Sequence, residues 1–247
     1  MHLKITSYLI AIILPVCVAA QQKFISQGKI EYERKTNQYA FMDENSIWDN
    51  MAKNNMSKFV TFYFDLTFNN KQTLYKLGRD PETKQNKIWG VFDSENIICT
   101  NFDSSSAVTQ RTIFGDVFLI SDSVKNIDWR VTTEMRKIAG FDCRKAVGRL
   151  MDSVVVIAFY TDEIITTGGP ESFSGLPGMI LGLAVPRLHT TWYATKLQLT
   201  DVTDKDLLAP KRGKKLTGAA YRARVNDLMK DWGEDATKRQ MNLQLLL

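Results

Sequence analysis

Two successive carboxylates, Asp162-Glu163, follow the run Phe159-Tyr160-Thr161, and a guanidinium, Arg149, precedes them in the chain. Carboxylates with an arginine and a phenol are the residue types of a general acid or of an oxygen-ligand cation site. Neighbouring side chains on a strand point to opposite faces, however, so the two acids are poorly placed to share a ligand. Their competing reading is a strand end with exposed acids. The remaining inventory narrows the chemistry further. His189 is the one histidine beyond the first twenty residues, which excludes a zinc site built on several histidines, and Cys99 and Cys143 lack ligand spacing. Ser172 and Ser174 near Gly175 do not form a Gly-x-Ser-x-Gly elbow, and no phosphate-cradling loop is present. Cys143 has Arg144-Lys145 beside it but no neighbouring histidine to activate it. Neither a cofactor nor a metal is expected.

The densest backbone signal lies just downstream, in Gly168-Gly169-Pro170 and Gly175-Leu176-Pro177-Gly178-Met179-Ile180-Leu181. Proline sets φ for position i+1 of a β-turn and glycine tolerates the positive φ of position i+2, so Pro177-Gly178 predicts a type II turn. Leu176, preceding proline, is pushed towards extended geometry. The apolar run Met179 to Val185 reads as a strand buried on both faces. The block is thus a rigid bend feeding a core strand, with an exposed recognition loop as the alternative.

These elements carry a resemblance. Trp129, Thr132 to Ile138, Gly140-Phe141-Asp142-Cys143-Arg144-Lys145-Ala146, Gly148-Arg149, Phe159 to Ile164, Gly168-Gly169-Pro170 and the Gly-Leu-Pro-Gly block occur in the order of the GLPGLI family. That family comprises exported proteins of Bacteroidota that generally lack an assigned activity. Met179 replaces the leucine of the family's motif, a volume-conserving swap. Phe159 stands where tryptophan is usual, and Ile165 replaces a proline. The resemblance covers the second half of the chain, and the first half only through Gly28-Lys29-Ile30-Glu31-Tyr32. It implies an accessory role to an envelope transporter or assembly, with a TonB-dependent outer-membrane receptor as partner.

Lys4, the apolar run Tyr8 to Val18 and the small residues Ala19-Ala20 read as a signal peptide, 1–20, cleaved before Gln21. Its apolar run is short for a bilayer span, and Val16 is a poor neighbour for a lipidated Cys17. Export to an oxidising compartment would let Cys99 bond Cys143, and that disulfide is expected, with two separate core thiols as the alternative. Residues 21–247 show no linker and no internal repeat, which predicts a single domain. The net charge of +5 is concentrated late, in Lys211-Arg212-Gly213-Lys214-Lys215 and the arginines and lysines beyond, read as a solvated loop before a surface helix. Nucleic acid is not expected as a partner of an exported chain without a recognised nucleic-acid module.

Strands must position most of these residues. Phe59 to Phe68 alternates with Phe62, Phe64, Leu66 and Phe68 on one parity, and Ile30, Tyr32 and Arg34 share a side. Further strands are expected over 72–77, 87–92, 97–102, 109–114, 117–121, 129–132, 143–150, 153–160, 179–185 and 190–199. Trp48, Met51, Ala52 and Met56 fall at helical spacing, predicting a helical insertion near 45–56 whose apolar side faces the sheet. A C-terminal helical segment is expected from about 219 to 247, with Tyr221, Val225, Leu228 and Trp232 along one face. The fold class is mainly β: one large curved antiparallel sheet, a half-barrel or open barrel like those of periplasmic lipoprotein carriers, with a β-sandwich as alternative. The functional reading is an exported, soluble, periplasmic or outer-membrane-associated binding protein. Carriage of an apolar ligand or lipoprotein comes second, and a hydrolase using Asp162 or Glu163 third.

Overall fold

The computed structural model describes residues 24–86, 96–113, 115–151, 153–230, 243 and 245. The expected signal peptide, the strand expected over 87–92 and most of the chain beyond 230 lie outside the described residues. In chain order the elements are β1 (Gly28–Asn37), α1 (Ile47–Lys53), β2 (Phe59–Phe68), β3 (Gln72–Leu77), β4 (Ile97–Asn101), β5 (Ser106–Ile113) and β6 (Asp116–Ser123). They continue with β7 (Asp128–Ile138), β8 (Phe141–Leu150), β9 (Val154–Thr161), β10 (Met179–Val185), β11 (Thr190–Gln198), β12 (Lys214–Thr217) and α2 (Gly218–Leu228). Among the described residues no helix is long and apolar enough to cross a membrane.

All twelve strands join one open sheet in the order β12-β6-β5-β4-β3-β2-β1-β11-β10-β9-β8-β7, so the β-sandwich alternative does not hold. Pairing is antiparallel throughout except at one edge, where β12 lies parallel to β6 and Lys214 is opposite Phe118. That strand lies in the basic stretch expected to be a solvated loop. Its residues are exposed apart from a half-buried Leu216, and Lys214 pairs with Asp116 at 3.1 Å. With little apolar area to bury, it carries no alternating pattern to announce it.

Alternation builds the core elsewhere. In β2, Val60, Phe62, Phe64, Leu66 and Phe68 are all buried, and β1 places Ile30 and Tyr32 beside them through a full-length register. The sheet curves around the segment joining β9 to β10. Twelve strands at about 4.8 Å spacing would span roughly 50 Å if flat. Yet Ser174 accepts a 2.9 Å hydrogen bond from the Trp129 indole of edge strand β7, while Ser172 lies against β5 and β6 near the other edge. Two residues reach only about 7 Å, so the two sides of the sheet converge on this segment.

Crossing the concave face, residues 162–178 tie themselves to several strands. The Ile25 N–H donates to the Glu163 carbonyl at 2.8 Å, and the Thr166 hydroxyl donates to Asn69 O at 2.8 Å. Ile180 N–H donates to Gly168 O at 2.8 Å. Ile164, Phe173, Leu176 and Ile180 are buried in the main core with Tyr32, Phe64 and Phe68. The connection therefore fills the half-barrel.

Candidate functional site

The Gly-Leu-Pro-Gly bend lies at the end of this crossing segment. Its glycines take positive φ, +92° at Gly175 and +140° at Gly178, and Leu176 and Ile180 are buried. The turn is not type II. Gly178 N–H donates back to Leu176 O at 2.8 Å, a three-residue γ-type closure around Pro177. The reason lies across the turn: a Cβ on Gly178 would stand 2.0 Å from the Thr161 carbonyl oxygen, so the chain runs hard against the end of β9. Gly168 and Gly169 make similarly close approaches, to Thr73 and Ile180. Pro170 is buried with them.

Beside Pro170, Glu171 holds a left-handed φ of +55° and turns its carboxylate into the core, 3.7 Å from Arg34. The Arg34 guanidinium also stacks over Phe62 and Phe64, 4.7 and 4.8 Å from the ring centroids. Tyr75 stacks on Phe64 from β3, and burial pushes its phenol well above the usual range. Arg34 was legible as an inward residue because it shares the parity of Ile30 and Tyr32. Glu171 carried no sequence signal. An ion pair enclosed this way locks the crossing segment to β1, since removing either partner strands a buried charge.

The sequence-predicted polar candidates do not come together. Arg149 is exposed and lies opposite Val155 in the β8–β9 register, whereas Tyr160 is buried opposite Arg144. Five residues along a strand separate those positions by about 17 Å. Asp162 is exposed and Glu163 half-buried at the start of the crossing segment. No cluster of three or more metal-ligating side chains occurs among the described residues.

The expected Cys99–Cys143 disulfide is not formed; both thiols are free and buried. They belong to separate apolar clusters. Cys143 sits in the main core, and Cys99 packs with Leu74 and Leu207 on the other side of β4 from Ile98. Burial pushes the Cys143 thiol up to about 12 and raises Cys99 too, so neither is an activated nucleophile.

The insertion before β2 is a helix, as its spacing predicts, but its facing is the reverse of that expected. No residue of α1 is buried; Ile47 is 74% exposed, Trp48 80% and Met51 58%. Polar anchors hold the element in place. The Ser46 hydroxyl accepts from Asp49 N–H at 3.2 Å, and the Asp49 carboxylate accepts from Asp43 N–H at 2.8 Å. At the other end the Tyr39 hydroxyl meets the carbonyls of Lys53 and Met56 at 2.6 and 2.9 Å, while Gln38 donates to Ser57 O and Asn86 O. Phe59, at the start of β2, is 42% exposed and flanked by the ammonium groups of Lys35 and Lys58. Carbonyl caps fix the helix without apolar burial, so its spacing reports a presented face and not a docked one.

Comparisons with known proteins reach the fold and no further. The architecture resembles two crystal structures of PNGF-II, in space groups C2 and P21, at TM-scores of 0.53 and 0.52 and identities of 15% and 16%. The matches cover 80% and 81% of this chain but 32% and 33% of the PNGF-II chains, so the chain spans about a third of their length. No curated protein matches it. One family model, described as a protein of unknown function (Porph_ging), matches residues 148–182, the stretch that runs from Gly148 through β9 and the crossing segment into β10.

Proposed function

We propose that this chain is an exported, single-domain binding module of the cell envelope, akin to GLPGLI proteins, that acts by contact and not by catalysis. The observation that carries the reading is the α1 tip: Ile47, Trp48 and Met51 project from a helix with no buried residue. Apolar patches held out rigidly mark interaction surfaces, and tryptophan and methionine are enriched at the centres of protein interfaces. On the helix and the turn before it, Asp43, Glu44 and Asp49 accompany Lys53. A rim without a basic excess suits a protein partner with an apolar cleft better than an anionic lipid surface. By the resemblance, that partner is an outer-membrane transporter of the TonB-dependent class or its assembly. Carriage of an apolar ligand has less support, because Phe173, Leu176 and Ile180 occupy the hollow that such a ligand would need. A hydrolase has less still, with Arg149, Asp162 and Glu163 dispersed.

The test is affinity purification of the full-length protein from native envelopes, followed by direct binding to the purified candidate partner. The double variant Ile47→Ser, Trp48→Ala should fold with wild-type stability and lose at least about tenfold in affinity, the size of a single interface anchor. Equal binding by the variant would overturn the α1 tip as the contact surface.

A further inference from the structure

Around the Arg34–Glu171 pair, three buried polar atoms have no hydrogen-bond partner among the described residues: Glu171 Oε2, the Tyr75 hydroxyl and the Trp192 indole nitrogen. Tyr75 is fully buried, Trp192 is 4% exposed and Glu171 6%. Buried polar groups are paired in folded proteins, because an orphan keeps the full penalty of its desolvation. Strand pairing and charge bring these three together. Arg34 in β1 stands directly opposite Trp192 in β11, so both side chains enter the concave face side by side. Tyr75 reaches the same place from β3, stacked on the Phe64 ring over which the Arg34 guanidinium also lies. Glu171 is the charge that acts most strongly on the Tyr75 phenol, ahead of Arg34, and the Trp192 indole N–H is directed at the phenol oxygen. Hydroxyl and indole nevertheless do not close in hydrogen-bond geometry, and Arg34 Nη1 stands 3.7 Å from Glu171 Oε1, beyond a contact hydrogen bond. Polar groups that converge without touching leave space for a bridging molecule.

The unmet capacities identify that molecule. Glu171 Oε2 requires a donor, the indole N–H requires an acceptor, and the phenol hydroxyl takes either role. An ammonium-type cation supplies donors only and leaves the indole unmet. An anion supplies acceptors only and would be set against the Glu171 carboxylate. Water offers two donors and two acceptors, and a buried water typically makes about three hydrogen bonds to otherwise orphaned groups.

We propose that this point of the core is a binding site for one internal water molecule, which donates to Glu171 Oε2, accepts from the Trp192 indole N–H and bonds the Tyr75 hydroxyl. The water joins the crossing segment to β3 and β11, whereas the ion pair alone reaches only β1. The site is independent of the α1 tip and does not need the envelope reading to be right.

The experiment is a crystal structure of the full-length protein at a resolution that shows ordered water, joined to water-selective nuclear Overhauser spectra of the indole protons in solution. One solvent peak is expected within about 2.6–3.2 Å of Glu171 Oε2, Tyr75 Oη and Trp192 Nε1 together. The Trp192 indole proton should show a cross-peak to water with the sign of a long-lived bound molecule, and Trp192→Phe, which removes that signal and no other indole signal, assigns it. Tyr75→Phe keeps the ring and removes one of the three bonds, so it should weaken the solvent peak at an otherwise unchanged site. If either variant fails to fold, the wild-type crystal structure decides. A site without solvent density, a direct Tyr75–Glu171 or Tyr75–Trp192 hydrogen bond in its place, density of an ion or a larger molecule on these atoms, or a full-strength peak in Tyr75→Phe would each overturn the proposal.

Discussion

Replacing Gly178 by alanine separates backbone strain from collision, because Gly175 supplies an internal control. Both glycines hold positive φ, but a Cβ at Gly175 would meet nothing closer than the Trp129 indole nitrogen at 3.6 Å, an ordinary contact. Gly175→Ala therefore carries the positive-φ penalty of about 1–2 kcal/mol, partly offset by about 0.4–1 kcal/mol from a less flexible unfolded chain. Gly178→Ala carries the same penalty and adds a Cβ 2.0 Å from Thr161 O and 3.0 Å from Asp162 Cα. Relieving that contact requires the ends of β9 and β10 to part by more than an ångström, where Met179 is paired with Thr161. Overpacking of this kind costs about 1–3 kcal/mol, and each ladder hydrogen bond lost adds about 1 kcal/mol. The expected totals are about 1 kcal/mol for Gly175→Ala and roughly 3–5 kcal/mol for Gly178→Ala. Pro177→Ala, which mainly frees the unfolded chain, should cost below about 1 kcal/mol. Urea unfolding followed by tryptophan fluorescence measures all three, provided the m-values agree. If Gly178→Ala came within about 1 kcal/mol of Gly175→Ala, the collision with Thr161, and with it the γ-type bend, would be refuted.

Three further outcomes test other parts of the structure. Both thiols should resist a thiol reagent in the native protein and react once it is unfolded, and a reductant should leave Tm unchanged; a reductant-dependent fall in Tm would restore the Cys99–Cys143 bond. Glu171→Gln leaves the Arg34 guanidinium without its carboxylate and should cost about 3–5 kcal/mol, with Arg34→Met, Glu171→Met together costing less than the single change; an additive double variant would contradict the pairing. Lys125 is lowered from 10.5 to about 8, so the unfolded chain binds the extra proton between those values, and its contribution to stability rises with pH across that window. Arg111, Arg222, Asp122 and Glu171 surround it electrostatically, and the raised thiols pull stability down above pH 9. The clean measurement is thus the wild-type minus Lys125→Met difference from pH 7 to 9, and a flat difference would refute the burial of that ammonium.

What was legible in the sequence follows from what burial leaves behind. The alternating β2 and the doubly buried β10 were recoverable with their boundaries, because each strand buries apolar side chains at period two or continuously. Short, exposed β12 was missed since its pairing rests on backbone bonds to β6, and those have no side-chain signature. The Gly-Leu-Pro-Gly bend was correctly placed, but its turn type depended on the Thr161 carbonyl, a neighbour that local propensities do not contain. Cys99 and Cys143 show the same limit: both are buried, but strand parity sends one to each side of a curved sheet.

The α1 helix marks a different boundary between sequence and function. Helical spacing of Ile47, Trp48 and Met51 fits either a face docked on the sheet or a face offered to something else, and periodicity alone gives both the same pattern. What separates them is the supply of polar anchors. Tyr39, from the turn directly after β1, caps the Lys53 and Met56 carbonyls, and Asn86, beyond β3 in the chain, caps Asn55 O, so the helix is fixed from its C-terminal end. Once those bonds hold the element, its apolar side chains are released from any structural duty. Among the described residues no packing role accounts for the exposure of Trp48, which is why the contact surface is proposed there. The Gly-Leu-Pro-Gly bend, for all its sequence prominence, buries Leu176 and Gly178 and sets Gly178 against the Thr161 carbonyl, which gives it a packing role.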